Sequence, residues 1–150
     1  MIATTYKIRA YQDQDRIELT KIMQQLIPQY FHYNEMADFV HYLNSEIDQY
    51  FVVEDHNHII GSGGINLFPN ERLAKISWDM IHPIAQGKGV GSSLMKHRLD
   101  LLLSNPQIDT IQVRTSQLAF EFYQKHGFKT KQVIPNYWSK GYDLYDMHYE

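Results

Sequence analysis

Apolar side chains in the first third of the chain recur at spacings of three and four residues, the pattern of helices with one buried face. The first stripe follows Asp13, a candidate N-cap, and ends at Pro28. Its members are Leu19, Ile22, Met23, Leu26 and Ile27. A second stripe follows Asn34, another candidate cap, and its members are Met36, Phe39, Val40, Leu43 and Ile47. The pattern predicts two amphipathic helices, preceded by a strand over Thr4–Tyr11.

The middle of the chain changes to extended segments that are rich in β-branched and aromatic residues. Three of them follow one another, over Gln49–Glu54, His58–Phe68 and Leu73–Ile81. Turn residues separate them, first at Asp55-His56-Asn57 and then at Pro69-Asn70. Short strands joined by such turns pair with their neighbours in the chain. The pattern therefore predicts an antiparallel meander.

A strand–helix–strand unit follows, which should place its two outer strands parallel. A glycine-rich turn leads into a helix over Gly91–Ser104, a strand over Ile108–Thr115 and a short helix over Leu118–His126. The tail, Phe128–Val133 and Tyr142–Tyr149, predicts a last strand pair. No linker-like segment divides the chain. The sequence therefore predicts an α/β (α+β) fold with a mixed sheet, in one domain over residues 1–150.

Composition narrows the class of protein. The chain has 150 residues, of which 43% are apolar and 21% charged, which suits a single folded domain. No apolar run reaches the roughly 18 residues of a membrane helix, and the first residues lack the pattern of a secretory signal. With no cysteine, disulfides, thiolate metal sites and a cysteine nucleophile are excluded. We expect a cytoplasmic protein without a metal, and the net charge of −3 argues against nucleic acid as a partner.

The most informative stretch is the glycine-rich turn, which reads Gln86-Gly87-Lys88-Gly89-Val90-Gly91-Ser92-Ser93. It lies between a predicted strand and a predicted helix, and the free N–H groups of a helix N-terminus bind phosphates. Glycines let the main chain approach an oxygen, and Lys88 adds a positive charge. The spacing fits neither a Walker loop nor a dinucleotide fingerprint. A tight turn that binds nothing is the alternative.

A second stretch, Leu118–Phe128, places Tyr123 near the end of the short helix. One interpretation is that the phenol lies at the floor of a cleft. The other is that the tyrosine packs in the core and its hydroxyl makes a hydrogen bond within the protein. The residues by themselves leave both interpretations open.

Taken together, these stretches resemble the GNAT N-acetyltransferase superfamily. Gln86-x-x-Gly89-x-Gly91, introduced by Ile81-His82-Pro83, is similar to the family's acyl-CoA pyrophosphate loop. Phe122–Phe128 is similar to its later Tyr-x-Lys-x-Gly-Phe segment. Ile134–Trp138, with a closing strand that ends near Met147, is similar to its C-terminal end. The resemblance covers essentially the whole chain in the right order.

The resemblance implies a GNAT-like fold: a mostly antiparallel sheet of about seven strands, a central parallel pair splayed apart, and about four helices. It implies acetyl-CoA as the acetyl donor. In the family, loop amides hold the pyrophosphate and the preceding strand pairs with the pantetheine arm. The candidate cofactor-binding residues are Met80, Ile81, Gln86, Gly87, Lys88, Gly89, Val90, Gly91, Ser92 and Ser116. Ser116 stands where many relatives have asparagine, and it is alternatively a simple N-cap.

The resemblance also implies that Tyr123 is the general acid for the thiolate. A general base is less evident, because Lys75 stands where some relatives carry a glutamate. Asp79 is our candidate, since alternation along the strand puts it on the face of Lys75 and Ser77. The alternatives for Asp79 are a solvated or hydrogen-bonded carboxylate at the strand end. His82 is a weaker candidate, and many relatives use water alone.

The implied reaction transfers the acetyl group to a primary amine of a small molecule or a peptide. Aromatic residues are candidates to line the acceptor site: Tyr30, Phe31, His32, Tyr33, Tyr137 and Trp138. Two other functions stay open, a non-catalytic module that binds and senses acyl-CoA and a purely structural domain. Relatives often dimerise, so a homodimer is a further expectation.

Overall fold

A seven-stranded mixed sheet organises the chain, and its spatial order is β1-β2-β3-β4-β5-β7-β6. The structure is a computed structural model that describes residues 6–150. The strands are β1 Lys7–Ala10, β2 Gln49–Asp55, β3 His58–Phe68, β4 Leu73–Ile81, β5 Thr110–Thr115, β6 Phe128–Ser139 and β7 Tyr142–Tyr149. Of the predicted first strand, residues 4 and 5 lie outside the described part. The predicted β6 was too short, because irregular pairing with β7 extends it to Ser139.

Helices cover both faces of the sheet. The α-helices are α1 Arg16–Leu26, α2 Glu35–His41, α3 Val90–Leu103 and α4 Phe120–Lys125. A π-helical turn, Tyr42–Glu46, continues α2. The apolar stripes of α1 and α2 pack on one face of the sheet, and α3 and α4 cover the other. No helix within residues 6–150 is long and apolar enough to cross a membrane.

The predicted cap of α1 is wrong, and the predicted cap of α2 is right in position only. Asp13 begins a short 3₁₀ turn, and α1 starts only after Asp15, whose carboxylate accepts the N–H of the residue before that turn. Asn34 occupies the N-cap position of α2, but its side chain caps nothing. The carboxylate of Glu35 instead accepts the N–H of His32 at 2.8 Å. In both places a carboxylate accepts the backbone N–H of the residue three positions earlier in the chain. A carboxylate at or just before the start of each helix therefore fixes the turn that leads into it.

The parallel pair β4–β5 is splayed, as expected. The two strands are paired over only four positions each, from Leu73 to Ile76 and from Thr110 to Val113. Beyond them, β4 continues to Ile81 with no partner on this side. Its backbone groups there face a gap in the middle of the sheet.

Strand β4 carries a bulge at Trp78, whose φ of 48° lies in the left-handed region. Its register with β3 shifts at this point. Ser77 and Trp78 therefore both face α1 and α2, and the following residue, Asp79, turns to the opposite side, toward α3. The expectation that Asp79 shares a face with Lys75 and Ser77 is wrong, because one extra residue inverts the alternation of a strand.

Candidate active site

The gap between β4 and β5 opens into a cleft of about 740 Å³. The start of α3 and the glycine-rich turn border it on one side. The segment between α1 and α2 and the end of β6 border it on another. The cleft thus reaches the unpaired half of β4 from both faces of the sheet.

Backbone geometry leaves the glycine-rich turn open to the cleft. Gly87 and Gly89 have φ values of 77° and 83°, which side chains other than glycine rarely adopt. A Cβ atom placed on either would meet no other atom within 4 Å. Within residues 6–150, the amides of residues 87–92 donate to no acceptor of the protein. Six consecutive N–H groups at the N-terminus of α3 are therefore available to an anion.

The side chain of Gln86 ties this turn to its surroundings. Its Nε2 donates to the carbonyl of Ile81 at 3.3 Å, and its Oε1 accepts the hydroxyl of Tyr30 at 2.9 Å. Gln86 thereby connects the end of β4 with the segment after α1. We infer that it holds the open turn in position, next to the unpaired strand.

A buried charge pair lies beneath the cleft. Arg98 of α3 is fully buried, and its Nη1 donates to Asp79 Oδ1 at 2.5 Å. The hydroxyl of Tyr123, from α4, donates to Asp79 Oδ2 at 2.6 Å. Asp79 and Tyr123 line the cleft, and Arg98 lies behind them with its side chain 1% exposed. Three separate elements thus bring a cation, a carboxylate and a phenol into one chain of hydrogen bonds.

Burial, with the charge of Asp79 next in importance, holds the pKa of the Tyr123 hydroxyl well above its usual range. Arg98 acts in the opposite direction, and Tyr50 adds to the increase. The phenol is therefore fully protonated at neutral pH. The site therefore does not make Tyr123 a stronger acid by lowering the pKa of its hydroxyl.

The matching family model is described as an acetyltransferase (GNAT) domain, and it matches residues 46–130. This range contains the turn, the gap and all three members of the buried network. The chain belongs to the GNAT acetyltransferase family. Among curated proteins, no sequence matches it significantly.

Solved GNAT structures share the fold over nearly the whole chain. An N-acetyltransferase from Staphylococcus aureus superposes with a TM-score of 0.75 at 17% identity, covering 97% of this chain and 98% of that one. The ribosomal-protein-S18-alanine N-acetyltransferase from Escherichia coli gives 0.79 at 16%, covering 97% and 93%. The spermidine/spermine N-acetyltransferase from Vibrio cholerae gives 0.71 at 19%, covering 95% and 92%. At these identities the likeness shows the fold alone.

Most of the residues predicted for this GNAT site line the cleft. They are Asp79, Met80, Ile81, Gln86, Gly87, Gly89, Val90, Gly91, Ser92, Ser116 and Tyr123. Lys88 and His82 are outside this lining. The Nδ1 atom of His82 accepts the N–H of Ile84 at 3.2 Å, a local turn contact. Ser116 is not the N-cap of α4, because Ala119 occupies that position, and its Oγ accepts the N–H of Leu118 in the turn ahead of the helix.

The aromatic acceptor candidates divide into two groups. Tyr30, Phe31 and Trp138 line the cleft. The others, His32, Tyr33 and Tyr137, lie outside its lining. Tyr142 and Trp78, which the sequence did not single out, also line the cleft. We call these five residues, Tyr30, Phe31, Trp78, Trp138 and Tyr142, the aromatic wall. The bulge in β4 orients the side chain of Trp78 toward α1 and α2. No local sequence pattern predicts that orientation.

Sequence reasoning also missed two charged residues. Arg98 occupies a position in the apolar stripe of α3, between Leu94 and Leu102, and a charge inside such a stripe was the available signal. Glu35 lines the cleft, and burial raises the pKa of its carboxyl. Within residues 6–150, no Lys, Arg or His pairs with Glu35, and no three metal-ligating side chains converge anywhere.

The raised pKa of Tyr123 predicts a loss of stability at alkaline pH. Above about pH 10 the unfolded chain releases the phenol proton and the folded chain keeps it, so the free energy of unfolding falls as pH rises. Tyr123→Phe should make this decline shallower, by up to about 1.4 kcal/mol per pH unit. Urea unfolding over a series of alkaline pH values measures it.

The control is Tyr33→Phe, because Tyr33 is 69% exposed. It should leave the alkaline decline unchanged. An equal slope in the native chain and Tyr123→Phe would contradict the assigned environment of Tyr123.

Proposed function

We propose that this chain is an N-acetyltransferase, which transfers the acetyl group of acetyl-CoA directly to a primary amine of a small molecule or peptide. One observation carries the proposal: unbonded amides at the mouth of α3 and the unpaired half of β4 open into the same cleft. An anion-binding turn beside an open strand edge suits an elongated ligand that has both a diphosphate and amide groups.

Acetyl-CoA fits the residues that are present. The amides of residues 87–92 would hold its diphosphate, and no side chain stands over Gly87 or Gly89. The backbone of β4 from Met80 to Ile81 would pair with the amides of its pantetheine arm. When bound, acetyl-CoA supplies an activated acetyl thioester. The missing pairing with β5 supports this role for β4, because the two strands leave a gap there.

Asp79 and Tyr123 are the proposed proton-handling groups. Asp79 lines the cleft and is the nearest carboxylate to the Tyr123 hydroxyl, to which it is hydrogen-bonded. We assign to Asp79 the proton that the acceptor amine must lose. Tyr123 holds a proton at its hydroxyl, available to the leaving group.

The acceptor side of the cleft suits an amine. Its aromatic wall offers ring faces, which attract cations, and Glu35 adds a half-buried carboxylate without a cationic partner among the described residues. Two of the similar structures are named for amine acceptors, spermidine or spermine in one and an alanine of ribosomal protein S18 in the other. These names support an amine acceptor here without selecting one.

The alternative is a GNAT-like module that binds acyl-CoA without transferring its acyl group. One observation favours it: both oxygens of Asp79 already accept hydrogen bonds, from Arg98 and from Tyr123. A proton from an acceptor amine would therefore compete with a contact that Asp79 already makes. Cofactor binding with no turnover would therefore fit the same structure.

Calorimetric titration and a thiol-release screen test the proposal. We expect saturable binding of acetyl-CoA at submillimolar concentration, and release of free thiol with at least one member of a panel of amines, polyamines, amino acids and peptide N-termini. Binding without release across the panel would favour the sensing module. The absence of saturable binding would reject both functions.

Three further expectations belong to the proposal and stay predictions: one domain over residues 1–150, a cytoplasmic location and a homodimer. The sheet spans the described residues 6–150 in continuous order from β1 to β6. This continuity is the support for the single domain.

A further inference from the structure

Arg98 is a buried cation to which the proposed function assigns no role. Its side chain is 1% exposed, and it lies in the apolar stripe of α3. Three acceptors surround its guanidinium: Asp79 Oδ1 at 2.5 Å, the Gly64 carbonyl at 3.1 Å and the Leu94 carbonyl at 3.4 Å. Burying a charge is costly unless it is paired and hydrogen-bonded, so this site depends on the carboxylate of Asp79.

The backbone is shaped around this pair. The bulge at Trp78 turns Asp79 toward α3, away from the face it would have in a regular strand. On the neighbouring strand, a Cβ atom at Gly63 would lie 2.1 Å from Asp79 Oδ1 and 2.9 Å from Arg98 Nη1. Only glycine leaves room for the pair at this position. Two departures from regular sheet structure thus converge on one ion pair.

The second oxygen of the carboxylate connects the pair to the cleft. Asp79 Oδ2 accepts the hydroxyl of Tyr123 at 2.6 Å. The side chain of Asp79 keeps 15% of its surface exposed, whereas Arg98 is closed off behind it. The hydrogen bonds therefore run from the buried cation through the carboxylate to the phenol, and both Asp79 and Tyr123 border the cleft.

We propose that Arg98 is a positioning residue, which fixes the carboxylate of Asp79 against the hydroxyl of Tyr123 so that these two side chains form one proton relay. The inference rests on the proposed function for its chemistry, and on the contacts of the three side chains for its geometry. Arg98 touches neither substrate and acts only through Asp79.

The relay balances the transfer reaction. The acceptor nitrogen gives one proton to Asp79 Oδ2 and forms the new N–C bond. As the C–S bond breaks, the hydroxyl of Tyr123 turns its proton from Asp79 Oδ2 to the sulfur, and Asp79 Oδ2 gives the proton it has received to the phenol oxygen. Both side chains end in the state in which they began. For a neutral acceptor amine, no proton is exchanged with solvent and no further reactant is needed. An acceptor that binds as an ammonium ion first releases one proton to solvent.

The relay also explains how Tyr123 can donate its proton although its pKa is raised. The charged and titratable groups that act on it are Asp79, Arg98 and Tyr50. When Asp79 takes up a proton, its negative charge disappears and only the cation of Arg98 remains beside the pair. The pKa of Tyr123 then falls at the moment when the leaving group needs a proton.

The first test uses the protein without acetyl-CoA. NMR of the chain with ¹³C-labelled tyrosine gives the pKa of Tyr123, and Tyr123→Phe assigns its signal. Asp79→Asn keeps the shape but removes the charge, and it should raise the dissociation constant of the phenol at least about tenfold. An unchanged value would overturn the relay contact. Circular dichroism checks the fold of every variant.

Arg98→Met separates positioning from charge by the sign of its effect. If Arg98 only supplied a positive charge, its loss would raise the pKa of Tyr123. If it holds Asp79 in place, the freed carboxylate leaves the phenol and the pKa falls toward the value in Asp79→Asn. A rise or no change would overturn the proposal. Arg98→Lys should restore a value near that of the native chain.

Should Arg98→Met fail to fold, Arg98→Gln replaces it, and the comparison of Asp79→Asn with the native chain still tests the contact. Thiol release adds a second readout. Arg98→Met should lower kcat about tenfold with little change in KM and have no further effect in the Asp79→Asn background, and Arg98→Lys should keep kcat near the native value. Equal losses in both backgrounds would mean a merely structural role. If the native chain releases no thiol, the proposed function fails, and the NMR result still decides the positioning.

Discussion

Gly89→Leu should weaken the binding of acetyl-CoA by at least about a hundredfold and leave the fold intact. The open space over Gly89 is where the amides of residues 87–92 point outward. A leucine side chain would fill that space and exclude a diphosphate. Losing one or two charge-assisted hydrogen bonds, each worth roughly 1.5–3 kcal/mol, accounts for the loss. Calorimetric titration with acetyl-CoA measures it.

The chain supplies a matched control for this variant. Gly141, in the turn between β6 and β7, has a φ of 85° and equally open surroundings. Leucine at either position costs a similar backbone strain of about 1–2 kcal/mol, visible in urea unfolding. Gly141→Leu should keep the native affinity for acetyl-CoA. Native affinity in Gly89→Leu would show that the turn is not the anion site.

Tyr123→Phe should lower turnover by roughly 10²–10⁴-fold and leave the affinity for acetyl-CoA unchanged. The variant removes one oxygen and with it the hydrogen bond to Asp79. The ring itself stays packed between Phe122 and Phe128, at centroid distances of 5.2 and 5.8 Å. The binding turn is untouched. Steady-state thiol release and titration with acetyl-CoA separate the two effects.

Tyr149→Phe is the control for Tyr123→Phe. Tyr149 packs against Phe128 in the same cluster, at a centroid distance of 5.5 Å, and it is absent from the lining of the main cleft. Removing its hydroxyl should leave turnover unchanged. Unchanged turnover in Tyr123→Phe would remove Tyr123 from the chemistry and leave the sensing module as the better account.

The two variants separate binding from chemistry. Gly89→Leu acts on the dissociation constant, because it changes only the surface that meets the diphosphate. Tyr123→Phe acts on kcat, because its hydroxyl lies on the cleft floor, next to Asp79. A sensing module would respond to the first substitution and not to the second. An N-acetyltransferase responds to both.

Local patterns in the sequence predicted the elements of this fold and their order. Apolar spacing marked α1, α2 and α3, and β-branched runs marked the meander of β2, β3 and β4. The GNAT resemblance supplied the splayed pair, which the structure confirms. The glycine-rich turn was recognisable because its two left-handed residues are glycines, a requirement of the backbone at those positions alone. Such features depend on residues that are neighbours in the chain.

The tertiary structure alone decided how the chemistry-bearing side chains meet. The bulge at Trp78 comes from the register of β4 against β3, and it reversed the face predicted for Asp79. Arg98 and Tyr123 lie 19 and 44 residues from Asp79 along the chain, on two different helices. The alternation of side chains along a strand does not reveal a bulge, because a bulge depends on how the strand pairs with its neighbour. The partner of a buried charge is likewise set by tertiary packing and not by distance along the chain. The sequence by itself therefore determined the elements and the turn, and packing determined the pairing of the charges.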